Sequence, residues 1–250
     1  MEIPRTIHYC WFGRGPLPDY ARKCIASWRN YFPGYEIIEW NEDNFDIGIH
    51  PYVRSAYDAG KYAFVSDYAR FWILYNHGGI YFDTDVEAIR HFAGIENTPF
   101  MGIEQNGGTS AGVAPGLGIG AYPKMDIFRE MLEEYAGAVF ETGNGVPETV
   151  VEKATRVLLR HGFNGKDEKQ EVSGVQIYPS EVFCPLDHAT GILTKTERTV
   201  SIHHYAASWL DHRTLEFRLY RLKCLMIKIF GKRFVMSLAE RLVKARRRRQ

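Results

Sequence analysis

The sequence lacks the paired cysteine motifs of a disulfide scaffold or a zinc module. Its four cysteines, Cys10, Cys24, Cys184 and Cys224, fall in neither a CxxC nor a Cys/His zinc spacing. They are read as reduced, buried thiols of a cytoplasmic protein. No run of 18 apolar residues occurs, so no membrane-spanning helix is expected. Met1 leads straight into Glu2-Ile3-Pro4-Arg5 with no apolar leader core, which also fits a cytoplasmic location. Five glycines lie between Gln105 and Gly120, yet no GxxxxGK[ST] is present; a Walker-type phosphate loop is excluded. That stretch reads instead as a surface or acceptor-site loop around a short strand. There is no internal repeat.

What is present is the composition of a folded domain. The 250 residues are 45% hydrophobic and 24% charged, enough to bury one large core. Aromatics make up 14%; most are expected in that core. The net charge of +1 hides a division. Residues 213–250 hold 13 Lys/Arg and 2 Asp/Glu, a net of +11; the other 212 residues hold 18 and 28, a net of −10. The expected organisation is an acidic body, residues 1–212, and a basic amphipathic helical tail, residues 213–250. In the tail, Leu225, Ile227, Ile229, Phe230, Val235, Met236, Leu238 and Leu242 precede Arg246-Arg247-Arg248-Arg249. That pattern suits a helix lying on an anionic leaflet, peripheral to the inner face of a membrane. No aromatics interleave the final basic run, so a nucleic-acid partner is not expected.

The body reads as α/β. Thr6–Phe12 is a buried strand, Asp19–Tyr31 a helix closed by Pro33-Gly34, and Tyr35–Trp40 a second strand. Lys61–Asn76 is the clearest helix, stopped by His77-Gly78-Gly79. Ile80–Phe82 is a short strand, with Val86–Ile89 extended beyond it. Pro99–Glu104, Val175–Tyr178 and Thr199–His203 read as strands. Lys124–Ala138 and Val146–His161 read as helices, and residues 162–173 as a polar surface loop.

Chemistry concentrates at Asp83-Thr84-Asp85, directly after an apolar strand. In extended backbone, residues two apart point to one face, so two carboxylates can converge on a hard cation such as Mg²⁺ or Mn²⁺. Such a cation grips a diphosphate and stabilises the charge on a departing nucleoside diphosphate. Upstream, Asp67 and Arg70 are three apart and share a helix face. A carboxylate there can accept sugar hydroxyl hydrogen bonds, and a guanidinium fork can bind phosphate or sugar oxygens.

Ser66-Asp67-Tyr68-Ala69-Arg70, followed by Leu74-Tyr75, Gly78-Gly79-Ile80-Tyr81 and Asp83-Thr84-Asp85, resembles the sugar-binding region with the DxD motif of glycosyltransferase family 32. The opening Ile3-Pro4-Arg5, Ile7-His8 and Trp11-Phe12-Gly13 resembles the start of the same proteins. That family includes capsule and lipopolysaccharide transferases and fungal mannosyltransferases, and it is distantly similar to clostridial toxin glucosyltransferase domains. The resemblance implies a GT-A fold, a mixed sheet flanked by helices. It also implies a UDP- or GDP-sugar donor, with a UDP-sugar favoured, a manganese or magnesium ion, and retention of anomeric configuration. Asp85 would be the direct metal ligand, and Asp83 would contact the ribose, the donor sugar or the metal. Asp67 and Arg70 would hold the sugar, and Trp11 would lie near the base. His203-His204-Tyr205 and Ser208-Trp209 resemble the segment that completes the site. Successive strand residues face opposite ways, so one histidine is expected at the metal, and His204 is the expected ligand; Trp209 Nε1–H would reach a phosphate oxygen. The acceptor would be a glycan or lipid-linked saccharide. A metal-dependent nucleotide-sugar hydrolase and a non-catalytic sugar-binding module use the same residues and are the alternatives.

Overall fold

The computed structural model describes residues 2–104, 111–141, 148–188 and 190–206, with 222, 225–227, 229 and 231. The chain runs β1 (Thr6–Cys10), α1 (Asp19–Tyr31), β2 (Glu36–Trp40), α2 (Pro51–Asp58), α3 (Tyr62–His77), β3 (Gly79–Tyr81) and β4 (Val86–Ala88). It continues through β5 (Phe100–Glu104), β6 (Gly112–Val113), β7 (Ile119–Ala121), α4 (Asp126–Glu133) and α5 (Val150–Arg160). It ends in β8 (Gln170–Val172), β9 (Val175–Tyr178), α6 (Ser180–Phe183), β10 (Leu186–Asp187), β11 (Ile192–Leu193) and β12 (Ser201–His203). The expected α/β architecture is present: a mixed sheet in the order β2-β1-β3-β7-β5-β9-β8, with β6 on β5, between helical layers.

Strands β2, β1, β3, β5 and β9 run one way and β7 and β8 the other. The carboxyl ends of β1, β3, β5 and β9 therefore share one edge of the sheet, where ligands of open α/β sheets bind. Alternation along the strands sorts the core. Ile7, Tyr9, Ile80, Phe82 and Phe100 face α1 and α6. Cys10, Phe12, Tyr81, Met101 and Ile103 face α2, α3, α4 and α5. Helix α3 is long because its buried residues, Val65, Tyr68, Ala69, Phe71, Ile73 and Leu74, follow helical spacing. It stops at Gly78 and Gly79, with φ of 66° and 91°; at Gly79 a Cβ would stand 2.8 Å from the Thr6 carbonyl oxygen.

Several elements lie where no periodic pattern marks them. Helix α2 starts at Pro51, with the His50 ring accepting from the Tyr52 N–H. Strand β7 sits inside the glycine-rich stretch and in the middle of the sheet. A Cβ on Gly120 would come within 2.4 Å of the Phe100 ring, so this strand carries glycine because an aromatic covers its backbone. Strand β8 falls in the expected surface loop. The tail lies mostly outside the described residues; 222, 225–227 and 229 are helical, and Leu222, Leu225 and Ile229 are exposed. Among the described residues no helix is long and apolar enough to cross a membrane.

His8 ties β1 to the start of β3. The Trp40 indole N–H donates to its Nδ1 at 3.0 Å. Because an indole nitrogen only donates, Nδ1 carries no proton, and Nε2–H donates to the Gly78 carbonyl at 3.1 Å. Burial, with His77 nearby, lowers the His8 pKa from 6.5 to about 4. Between those values the unfolded chain takes up a proton that the folded one refuses. Stability from this group is complete above pH 6.5 and falls as pH drops towards 4, by about 3 kcal/mol in all. The His8 imidazole, followed by NMR, should stay neutral down to about pH 4; a midpoint at its ordinary 6.5 would contradict the assignment.

Candidate active site

The site begins with Tyr81 and Asp83. Tyr81 faces α3, and its hydroxyl donates to Asp83 Oδ1 at 3.0 Å. The α3 side presents Arg70, whose side chain is 4% exposed. Its Nη2 lies 2.9 Å from Asp67 Oδ1 and 3.2 Å from Asp83 Oδ1. Its Nε donates to the Ser66 carbonyl at 3.1 Å, and the guanidinium stands 5.0 Å above the Tyr81 ring. Arg70 is thus spent on holding two carboxylates, one from the helix and one from the strand end. Asp83 and Asp67 keep its charge firmly in place despite burial. Burial pushes the Asp67 carboxyl up to about 6 against the pull of Arg70.

Asp83 and Asp85 converge by a turn rather than by the pleat of one strand. The chain leaves β3 at Tyr81, and the Val86 N–H returns to the Asp83 carbonyl at 3.1 Å. The chain then enters β4, which pairs with β12 in a separate antiparallel ribbon. That ribbon is pinned to α1: the Trp28 indole donates to the Val86 carbonyl at 2.8 Å, and the Ala88 N–H to Ser27 Oγ at 2.9 Å. Its register sets His203 opposite Val86, and His203 Nε2 lies 3.1 Å from Asp85 Oδ1. The other carboxylate oxygen accepts the Ala206 N–H at 2.8 Å.

Asp83, Asp85 and His203 each offer a ligand atom within 4.8 Å of the others. The choice of His204 is corrected: it follows the last residue of β12, its ring meets Glu87 Oε2 at 2.8 Å, and it is not in the group of three. Two carboxylates and an imidazole suit a hard or borderline divalent cation. His203 Nδ1 is buried without a hydrogen-bond partner among the described residues, an unfilled polar group of the kind found at functional sites. Burial alone would discharge both members of the Asp85–His203 pair. Instead His203, with the Ala206 N–H, brings Asp85 down to about 2, and Asp85 raises His203. The Asp67–Arg70–Asp83 group carries a net negative charge beside this pair, which draws a cation.

Gly116 closes the site from the sheet. Its carbonyl accepts the Asp83 N–H at 3.2 Å, and a Cβ there would fall 2.1 Å from Asp83 Oδ2. Trp11 lies at the carboxyl end of β1, half-buried, with its indole donating to the Gly15 carbonyl at 2.7 Å. Trp209 and residues 142–147 lie outside the described residues. Sequence reasoning gave Tyr81 and Gly116 no role of their own. Strand alternation would have put Tyr81 on the face of Asp83; nothing in the sequence marks Gly116.

Residues 18–102 match the family described as glycosyltransferase sugar-binding region containing DXD motif. The chain is 30% identical over 115 residues to inositol phosphoceramide mannosyltransferase 3 of Schizosaccharomyces pombe, covering 42% of this chain and 32% of that protein. Inositol phosphoceramide mannosyltransferase 1 of the same organism is 28% identical over 96 residues, 34% of this chain and 28% of that one. The chain spans about a third of the length of these curated relatives. Among solved structures, PaToxG glycosyltransferase aligns with a TM-score of 0.47 at 15% identity, over 64% of this chain and 70% of that one. A glycosyltransferase involved in the glycosylation of the major capsid of PBCV-1 aligns with a TM-score of 0.40 at 12% identity, over 71% and 83%. The family match covers about a third of the chain. Asp67, Arg70, Asp83 and Asp85 lie within the matched stretch, and His203 lies beyond it.

The Gly116→Ala variant should fold, at a cost of about 1–3 kcal/mol for the added methyl, and should push the Asp83 carboxylate out of place. Calorimetric titration with Mn²⁺ is expected to show at least about tenfold weaker binding. An affinity equal to that of the unaltered protein would remove Asp83 from the ligand set.

Proposed function

We propose that this protein is a metal-dependent glycosyltransferase that moves a sugar from a nucleotide diphosphate donor to a hydroxyl of a glycan or glycolipid. The observation that supports it most is the buried Arg70. It sets the Asp83 carboxylate beside Asp85 and His203, at the edge where the parallel strands end. A Mn²⁺ or Mg²⁺ ion held by Asp83, Asp85 and His203 would neutralise charge on the departing diphosphate. Asp67, next to Arg70 and 14% exposed at its side chain, would accept hydrogen bonds from the donor sugar. Arg70 acts on the sugar through Asp67 and Asp83, which it orients. Trp11 offers an aromatic face for the base at the end of β1. The donor is proposed to be a UDP-sugar and the transfer to retain configuration, as the resemblance implies; the named relatives are mannosyltransferases, which makes mannose the alternative sugar to test.

Asp85→Asn tests this assignment. The amide oxygen can still accept the Ala206 N–H, but the ion pair with His203 is lost, so stability should fall by about 1–3 kcal/mol. Transfer should fall by about a hundredfold or more, because a charged ligand is lost. Turnover equal to the unaltered protein would end the metal-site reading. Equal donor turnover with and without acceptor would identify a hydrolase, and donor binding with no turnover would identify a binding module.

A further inference from the structure

One side of the Asp83, Asp85 and His203 cluster rests on an aromatic ring rather than on a hydrogen bond. His203 turns Nε2 to Asp85 Oδ1 at 3.1 Å. Its other ring nitrogen, Nδ1, is buried without a hydrogen-bond partner among the described residues. A histidine that ligates a metal almost always has its second nitrogen bonded to a carboxylate, a carbonyl or a water, which fixes the ring's orientation. Packing takes that place here. The centroid of the Tyr205 ring lies 4.2 Å from that of His203, with the two planes tilted by 52°. Tyr205 is itself fixed by two further contacts. The ring of His188, just past β10, stacks on it at 4.6 Å with the planes 12° apart. Its hydroxyl meets Sγ of Cys184, just past α6, at 3.0 Å, and Cys184 is fully buried.

The backbone at Tyr205 is held in a costly shape. Its φ is 49°, in the left-handed region that bulky residues avoid. That turn lets both flanking amides address one residue. The His204 N–H donates to the Asp85 carbonyl at 3.0 Å, and the Ala206 N–H to the Asp85 carboxylate at 2.8 Å. Glycine or asparagine makes the same turn with less strain, so the two amide bonds do not explain a tyrosine at this position. What glycine cannot supply is the ring against His203.

Resting on the metal-site reading, we propose that Tyr205 is a positioning residue: its ring, held by His188 and Cys184, orients the His203 imidazole for the cation that Asp83, Asp85 and His203 would share. Tyr205 acts through His203 and not on the ion. It limits rotation of the imidazole about its side-chain bonds, so Nε2 stays turned to the carboxylates. One turn of the chain after β12 thereby sets the histidine, the ring that steadies it and the amide that holds Asp85.

The test measures Mn²⁺ binding to the full chain by calorimetry. It identifies the ligands by electron spin-echo modulation, which registers an imidazole nitrogen bound to the ion. Tyr205→Phe keeps the ring and should match the unaltered protein in both measurements. Tyr205→Gly and Tyr205→Asn keep the turn and lose the ring. Each should still fold, bind Mn²⁺ about tenfold or more weakly, and lose the nitrogen signal, as His203→Ala does. An affinity and a nitrogen signal equal to those of the unaltered protein in the glycine and asparagine variants would overturn the proposal and leave the metal-site reading standing. So would an equal loss in Tyr205→Phe, which would assign the effect to the hydroxyl. Unfolding of both ringless variants without metal would mark the ring as structural and would also overturn it. If the unaltered protein binds no Mn²⁺ or gives no nitrogen signal, the metal-site reading falls and this proposal with it.

Discussion

The site depends on one buried cation. Arg70 lies between a helix and a strand end and holds one carboxylate from each. Removing it would leave Asp67 and Asp83 facing each other in a poorly solvated place, where an uncompensated charge costs about 3–5 kcal/mol. Its position is inherited from the core. The residues that bury α3 also fix the direction in which Arg70 points, and the Tyr81 ring beneath it is a core side chain on the sheet. Asp83 is therefore held by three constraints: the guanidinium, the Tyr81 hydroxyl and the Gly116 backbone.

Asp85 is placed by a different mechanism. It belongs to the turn that leads out of the main sheet into the β4–β12 ribbon, and its partners come from the far end of the described body. His203 and the Ala206 N–H are more than a hundred residues away in sequence, so the cluster of Asp83, Asp85 and His203 closes only when the ribbon is paired. The ribbon depends in turn on α1, whose Trp28 and Ser27 anchor β4. One half of the site is thus set by the local succession of helix, glycines and strand. The other half is set by long-range pairing, with a charge pair whose members hold each other ionised against burial.

This division explains what could be read in advance. Asp67, Arg70, Asp83 and Asp85 were legible because a periodic helix, a glycine stop and a short apolar strand put them close together in sequence. The convergence of the two DxD carboxylates was foreseen, but through the pleat of a strand rather than the turn that produces it. The histidine was half legible: alternation said that one of the two faces the site, but only the register of β12 against β4 selects His203. Strand β7 gave no signal, because the glycines that admit Phe100 disguise it.

Melting of the protein with UDP- and GDP-sugars, each with and without Mn²⁺, tests most directly whether this edge is a metal-dependent donor site. A ligand that binds only the folded chain stabilises it by about 2.7 kcal/mol at a hundred times its dissociation constant. The geometry predicts a rise in melting temperature that needs the metal and one nucleotide sugar together. A sugar nucleotide that stabilises equally without metal, or no stabilisation by any pair, would contradict it.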